Sequence, residues 1–123
     1  MKERVWLKSG GYLVIQTTEA LTVIDVNTGK FDGSRKPEET FRKINKEAAI
    51  EAARQMRIRN LSGIILVDFI DMKNPDHVQE LTAIFRRVLK QDPFKAEFID
   101  FTKLGLAEVT RKKVKKSLKE QLA

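Results

Sequence analysis

The stretch Ile64-Ile65-Leu66-Val67-Asp68-Phe69-Ile70 constrains this chain more than any other. It is a nearly continuous apolar run, closed off on its amino-terminal side by Leu61-Ser62-Gly63. Such a run predicts a strand in the middle of a sheet with both faces covered. It is too short to cross a membrane, which takes about 20 apolar residues. Its one charged residue, Asp68, stands at the end. An ionised carboxylate there is costly to desolvate unless it is paired or bound to a cation.

The same pattern occurs earlier in the chain. Leu21-Thr22-Val23-Ile24-Asp25-Val26-Asn27 is mostly β-formers and is closed by Gly29, so it reads as a strand with Asp25 near its carboxyl end. Alternation places Asn27 on the face of Asp25. If the two strands are neighbours, about 5 Å apart, both carboxylates can reach one ion. The chain has no cysteine and a single histidine, which excludes disulfides, thiolate centres, a His-rich zinc site and a chymotrypsin-type triad. A metal here is therefore hard and oxygen-bound. Magnesium (Mg2+), with Mn2+ as a substitute, suits one or two carboxylates and keeps coordination positions open to water and phosphate. Asp25 and Asp68 are the candidate ligands, and Asn27 would orient a carboxylate or a metal-bound water. Aspartates also end strands simply by bonding turn amides, and Asp71 is an alternative ligand better suited to a turn or cap.

The remaining pattern supplies the frame. Val5 to Leu7 and Tyr12 to Thr17 read as a hairpin across Ser9-Gly10-Gly11, a strand-to-strand turn that opens no helix and cradles no phosphate. A polar loop from Thr28 to Lys36 follows the third strand. Pro37-Glu38-Glu39 starts a helix to about Arg57, with Phe41, Ile44, Ala48, Ala52 and Met56 as its buried stripe. Asn74-Pro75-Asp76 starts a second, carrying Val78, Leu81, Phe85 and Val88, and Asp92-Pro93 ends it. Ala96 to Phe101 is a further strand, and 106–111 fits strand or helix. The order is β-β-β-α-β-α-β-(β)-α, a single α/β domain with a mixed β-sheet flanked by helices over residues 1–111. Residues 112–123 form a basic tail helix with Val114, Leu118 and Leu122 at four-residue steps.

Charge bears on partners. With 24 basic against 17 acidic residues the chain carries +7, which favours polyanions. Arg54, Arg57 and Arg59 at the end of the first helix, and Lys112, Lys113, Lys115 and Lys116 in the tail, are candidate phosphate contacts. A helix dipole or a solvated face accounts for the same residues. His77 has no ligand-spaced companion and reads as a surface residue. Trp6 and Tyr12 could stack on a base, though packing on the sheet is their more common role. With no long apolar segment and no apolar leader, a cytoplasmic location is expected.

At these residues the sequence resembles the catalytic core of the ribonuclease E/G family. The likeness runs through Ser9-Gly-Gly-Tyr-Leu-Val-Ile, Thr18-Glu-Ala-Leu-Thr-Val-Ile-Asp-Val-Asn, Glu39-Thr, Asn45 and Glu47-Ala. It continues through Ala53-Arg-Gln-Met-Arg-Ile-Arg-Asn-Leu-Ser-Gly-Ile-Ile-Leu-Val-Asp-Phe-Ile-Asp-Met and Leu104-Gly-Leu-Ala-Glu-Val-Thr-Arg-Lys-Lys. The resemblance implies a DNase I-like subdomain in which Asp25 and Asp68 bind catalytic magnesium and Asn27 supports them. It implies endonucleolytic cleavage of single-stranded RNA that leaves a 5′-phosphate. It also implies missing domains of the same polypeptide: a barrel and a 5′-end sensor before this region, and a zinc link after it. A homo-oligomer of the full-length enzyme would fit. Two other readings stay open: a non-catalytic RNA-binding or oligomerisation module, and a ribonuclease H-like arrangement that shares the acids on strand ends.

Overall fold

The computed structural model describes residues 2–29 and 37–113. The predicted loop residues 30–36 and the tail from 114 onward lie outside them. The described residues contain strands β1 (Lys2–Trp6), β2 (Tyr12–Thr17) and β3 (Leu21–Asn27), then helix α1 (Pro37–Ile58) and strand β4 (Gly63–Asp68). Helix α2 (Pro75–Lys90) and strands β5 (Ala96–Phe101) and β6 (Ala107–Arg111) complete the order. The predicted α/β order is found. The ambiguous 106–111 segment is a strand, because it pairs with β4 on one side and β5 on the other.

The six strands form one mixed sheet in the order β1-β2-β3-β4-β6-β5. β3 and β4 are parallel, joined through α1; the other neighbours are antiparallel. β4 is central, as its apolar run predicts, but it is not covered on both faces. Ile65 and Val67 are fully buried, whereas Ile64 is 41% exposed and Leu66 only half-buried. The crossover rule explains the difference. β3 to β4 and β4 to β5 advance the same way across the sheet, and such connections are right-handed in nearly all cases. Both helices therefore land on one face, where they pack on each other.

That face holds the core. The small residues Ala48, Ala49, Ala52 and Ala53 let α1 approach Leu13, Ile15, Ile24 and Val26 closely. Phe85 of α2 joins Phe69, Phe98 and Phe101 in a column of edge-on rings 5.3 to 6.1 Å apart. The opposite sheet face has no helix over it among the described residues. Its side chains include Val14, Leu21, Val23, Ile64 and Leu66, with Asp25, Asn27 and Asp68 toward one end.

Candidate active site at the carboxyl ends of the parallel strands

Asp25 and Asp68 are register partners across the parallel pair β3 and β4. Facing positions in adjacent strands share one side of the sheet and lie about 5 Å apart. Both carboxylates are half-buried on the open face near the carboxyl ends of the two strands, where α/β sheets bind ligands. Asn27 stands on the same face, and its amide Nδ2 donates to the Asp25 backbone carbonyl at 3.3 Å. That bond leaves the Asn27 side-chain oxygen directed elsewhere.

The electrostatics are uncompensated. Burial pushes the Asp68 carboxyl above its ordinary value, and the charges of Asp25 and then Asp71 push it further the same way. Among the described residues no ion pair reaches Asp25 or Asp68. Among those residues no group of three or more Asp, Glu or His side chains converges on one point. A cation held here would thus take two carboxylates and fill its other positions from water or ligand, a pattern that magnesium accepts.

Several polar residues hold this end of the sheet in place. Asn45, fully buried on α1, donates from Nδ2 to the Ile70 carbonyl at 2.8 Å and accepts from the Ile70 amide at 2.9 Å. It thereby clamps the backbone two residues beyond Asp68. Glu47 accepts from the Ser9 amide and hydroxyl at 3.1 and 2.7 Å, tying the first hairpin turn to α1. The glycines of that turn allow close approach: a Cβ on Gly11 would lie 2.8 Å from the Asn27 carbonyl oxygen. One on Gly29 would lie 2.2 Å from the Gly10 oxygen. The Ser9-Gly10-Gly11 turn is therefore a packing surface for the exit of β3. Reading periodicity alone missed the clamps; the available signal was a polar Asn45 beside Ile44 in a buried stripe, since a buried amide needs partners.

The other singled-out residues lie elsewhere. Because α1 runs back against the strands, Arg54, Arg57 and Arg59 sit at the opposite end of the sheet from the carboxylates. Arg54 pairs with Glu51 and Arg59 with Glu3. Lys112 and Lys113 are exposed just beyond β6, at the same far end; Lys115 and Lys116 fall outside the described residues. Arg111, which opens the basic run in the sequence, is only 3% exposed. It is bound to Asp92, Asn60 and the Leu61 carbonyl. His77 is not a free surface residue: its side chain is 18% exposed and Nδ1 lies 3.7 Å from Glu38 Oε2. No helix of the described residues is long and apolar enough to cross a membrane.

An α/β domain with paired aspartates on adjacent parallel strand ends belongs to the open-sheet class that carries its polar groups at the carboxyl ends of parallel strands. Comparison with known proteins narrows it: the Ribonuclease E/G family model matches residues 1–114, and the chain belongs to that family. It is 45% identical to Ribonuclease G of Escherichia coli over 122 residues, covering 99% of this chain and 25% of that protein. It is 46% identical over the same length to Ribonuclease G of Haemophilus influenzae, again 25% of the relative. Ribonuclease E of Synechocystis sp. is 47% identical over 120 residues, 98% of this chain and 18% of that protein. The chain thus spans about a quarter or less of the length of these curated relatives.

Proposed function

We propose that this domain is the metal-binding catalytic part of an endoribonuclease that cuts single-stranded RNA and leaves a 5′-phosphate. The observation that carries the reading is the register pairing of Asp25 with Asp68 on the open face of the sheet. Two facing carboxylates repel each other, and a fold tolerates them where a cation resolves the repulsion. Family membership and the names of the relatives supply the substrate class.

Asp25 and Asp68 would hold Mg2+, or Mn2+ in its place. When bound, such an ion supplies a more acidic water and neutralises charge on a phosphate oxygen during in-line displacement. The chain's own groups do the positioning. Asn27, anchored through Nδ2, offers its carbonyl oxygen to orient a water or a carboxylate. Asn45 fixes the turn after Asp68, so its carboxylate keeps one direction relative to Asp25. RNA contacts by Arg54, Arg57, Arg59, Lys112 and Lys113 would lie at the far end of the sheet and act on the strand away from the point of cleavage.

Calorimetry with Mg2+ and with Mn2+ tests the site directly. One site that Asp25→Asn and Asp68→Asn each abolish is the expected result. Absence of binding at millimolar metal removes the catalytic reading and leaves an RNA-binding or oligomerisation module.

A further inference from the structure

The open face carries a second feature, one strand beyond Asn27. Trp6, Tyr12 and Asn27 occupy facing positions on β1, β2 and β3, and Arg4, Val14, Asp25 and Asp68 form the next row. The Trp6 and Tyr12 rings lie 5.0 Å apart with their planes tilted by 53°. The Arg4 guanidinium sits 4.3 Å from the Tyr12 ring centre and 5.6 Å from that of Trp6. Trp6 is 62% exposed, so most of its surface is spent on solvent and contributes little to the fold. A cavity of about 400 Å³ lined by Trp6, Gly10, Tyr12 and Gly29 opens beside the rings.

The charge around these rings selects the occupant. Arg4 has no carboxylate partner among the described residues, and Lys2 and Lys8 are exposed on the same hairpin. An exposed aromatic flanked by cations matches a base with its phosphates: the ring stacks on the base and the cations meet the backbone. Tyr12 stands one strand spacing from Asn27 and Trp6 two, about 5 and 10 Å, within reach of nucleotides adjoining one held at the carboxylates.

We propose that Trp6 and Tyr12, braced by Arg4, form a base-stacking subsite for single-stranded RNA on the face that carries Asp25 and Asp68. The proposal rests on the endoribonuclease reading and extends it to where a neighbouring nucleotide is held. It also assigns a use to the alternation Lys2, Arg4, Trp6, which places two cations and an indole on one face of an edge strand.

Trp6 is the only tryptophan, so its emission reports this subsite alone. The full chain is titrated with a short oligoadenylate in EDTA at low, fixed salt, following Trp6 fluorescence and the anisotropy of end-labelled RNA in parallel. Saturable quenching is expected, with Trp6→Ala weakening binding roughly tenfold and Trp6→Phe, which keeps a π-face, staying within about threefold of wild type. An abasic oligomer of the same length should bind weakly and leave Trp6 emission unchanged. RNA binding without quenching and without loss on Trp6→Ala overturns the subsite but not the endoribonuclease reading. No RNA binding at all overturns the subsite and points to a protein partner for this aromatic patch. Quenching by RNA in a chain whose Asp25 and Asp68 bind no metal upholds the subsite and removes the catalytic reading instead.

Discussion

Burial, Asp25 and Asp71 all push the Asp68 carboxyl upward, and the consequence for stability has a definite sign. A folded-state value above the unfolded one means that folding takes up a proton between the two. Stability is therefore gained as pH falls through the folded value and is lost as pH rises through it. Near neutral pH the metal-free protein bears the full penalty. Asp68→Asn should melt at a higher temperature than wild type in EDTA at pH 7, and the gap should close as acid protonates the wild-type carboxyl. Saturating Mg2+ should reverse the order, because only wild type gains from ligand binding. A variant that melts no higher in EDTA would mean that the charge is already compensated. Asn45 poses the opposite case, a residue whose value lies in bonds already made. Asn45→Ala leaves the Ile70 amide and carbonyl without their partner, at a cost of about 1–3 kcal/mol for each group that stays buried. Urea unfolding should show that loss. Metal titration should show weaker binding than wild type, since the turn after Asp68 is released.

Among the elements, the two helices are joined by charge as well as by packing. Glu80 on α2 accepts from Arg42 Nε and Nη2 at 2.9 and 2.7 Å and meets Lys46 Nζ at 2.7 Å, both on α1. These hydrogen bonds, the one from Arg42 foremost, hold the Glu80 carboxyl down at about 2. Its contribution is present above the unfolded value of 4.5 and is lost as pH falls toward about 2. Thermal melts should show Glu80→Gln below wild type near neutrality, with the difference vanishing across that acid window. A constant difference at every pH would mean that Glu80 acts through packing alone. Helix limits were legible because Pro37 and the Asn74-Pro75 pair mark starts by local chemistry; Asn74 does accept from the Asp76 amide. The pairing of β4 with β3 was legible only as a condition, because register depends on contacts distant in sequence. The open sheet face was misread from composition: Ile64 and Leu66 look like core in a linear run. The direction in which the crossovers advance decides that they are not. Arg111 was hidden in a lysine-rich context, and only Asp92 and Asn60, brought in from elsewhere, distinguish it from its neighbours.

Across the whole molecule, the candidate site and a buried ion pair stand at opposite ends of one strand. β4 begins at Gly63, which faces Arg111, and ends at Asp68, which faces Asp25. The five steps between span about 16 Å. At the lower end, burial works against the Asp92 charge, but hydrogen bonds from Arg111 and the Phe94 amide outweigh it and pull its carboxyl below the ordinary value. The Arg111–Asp92 ion pair is almost wholly out of solvent. Removing one partner of such a pair strands the other charge, so Arg111→Met should destabilise the domain by about 3–5 kcal/mol. Lysine is a poor substitute, because a single ammonium cannot span Asp92, Asn60 and the Leu61 carbonyl together. Sites this far apart with no shared partner combine additively to within about 0.5 kcal/mol. Arg111→Met should therefore leave the Mg2+ affinity of the folded domain unchanged, and its stability cost should be the same in wild-type and Asp68→Asn backgrounds. A clear coupling between them, seen in a double-mutant cycle by urea unfolding, would show instead that strain at the base of β4 is transmitted along the strand to the carboxylates.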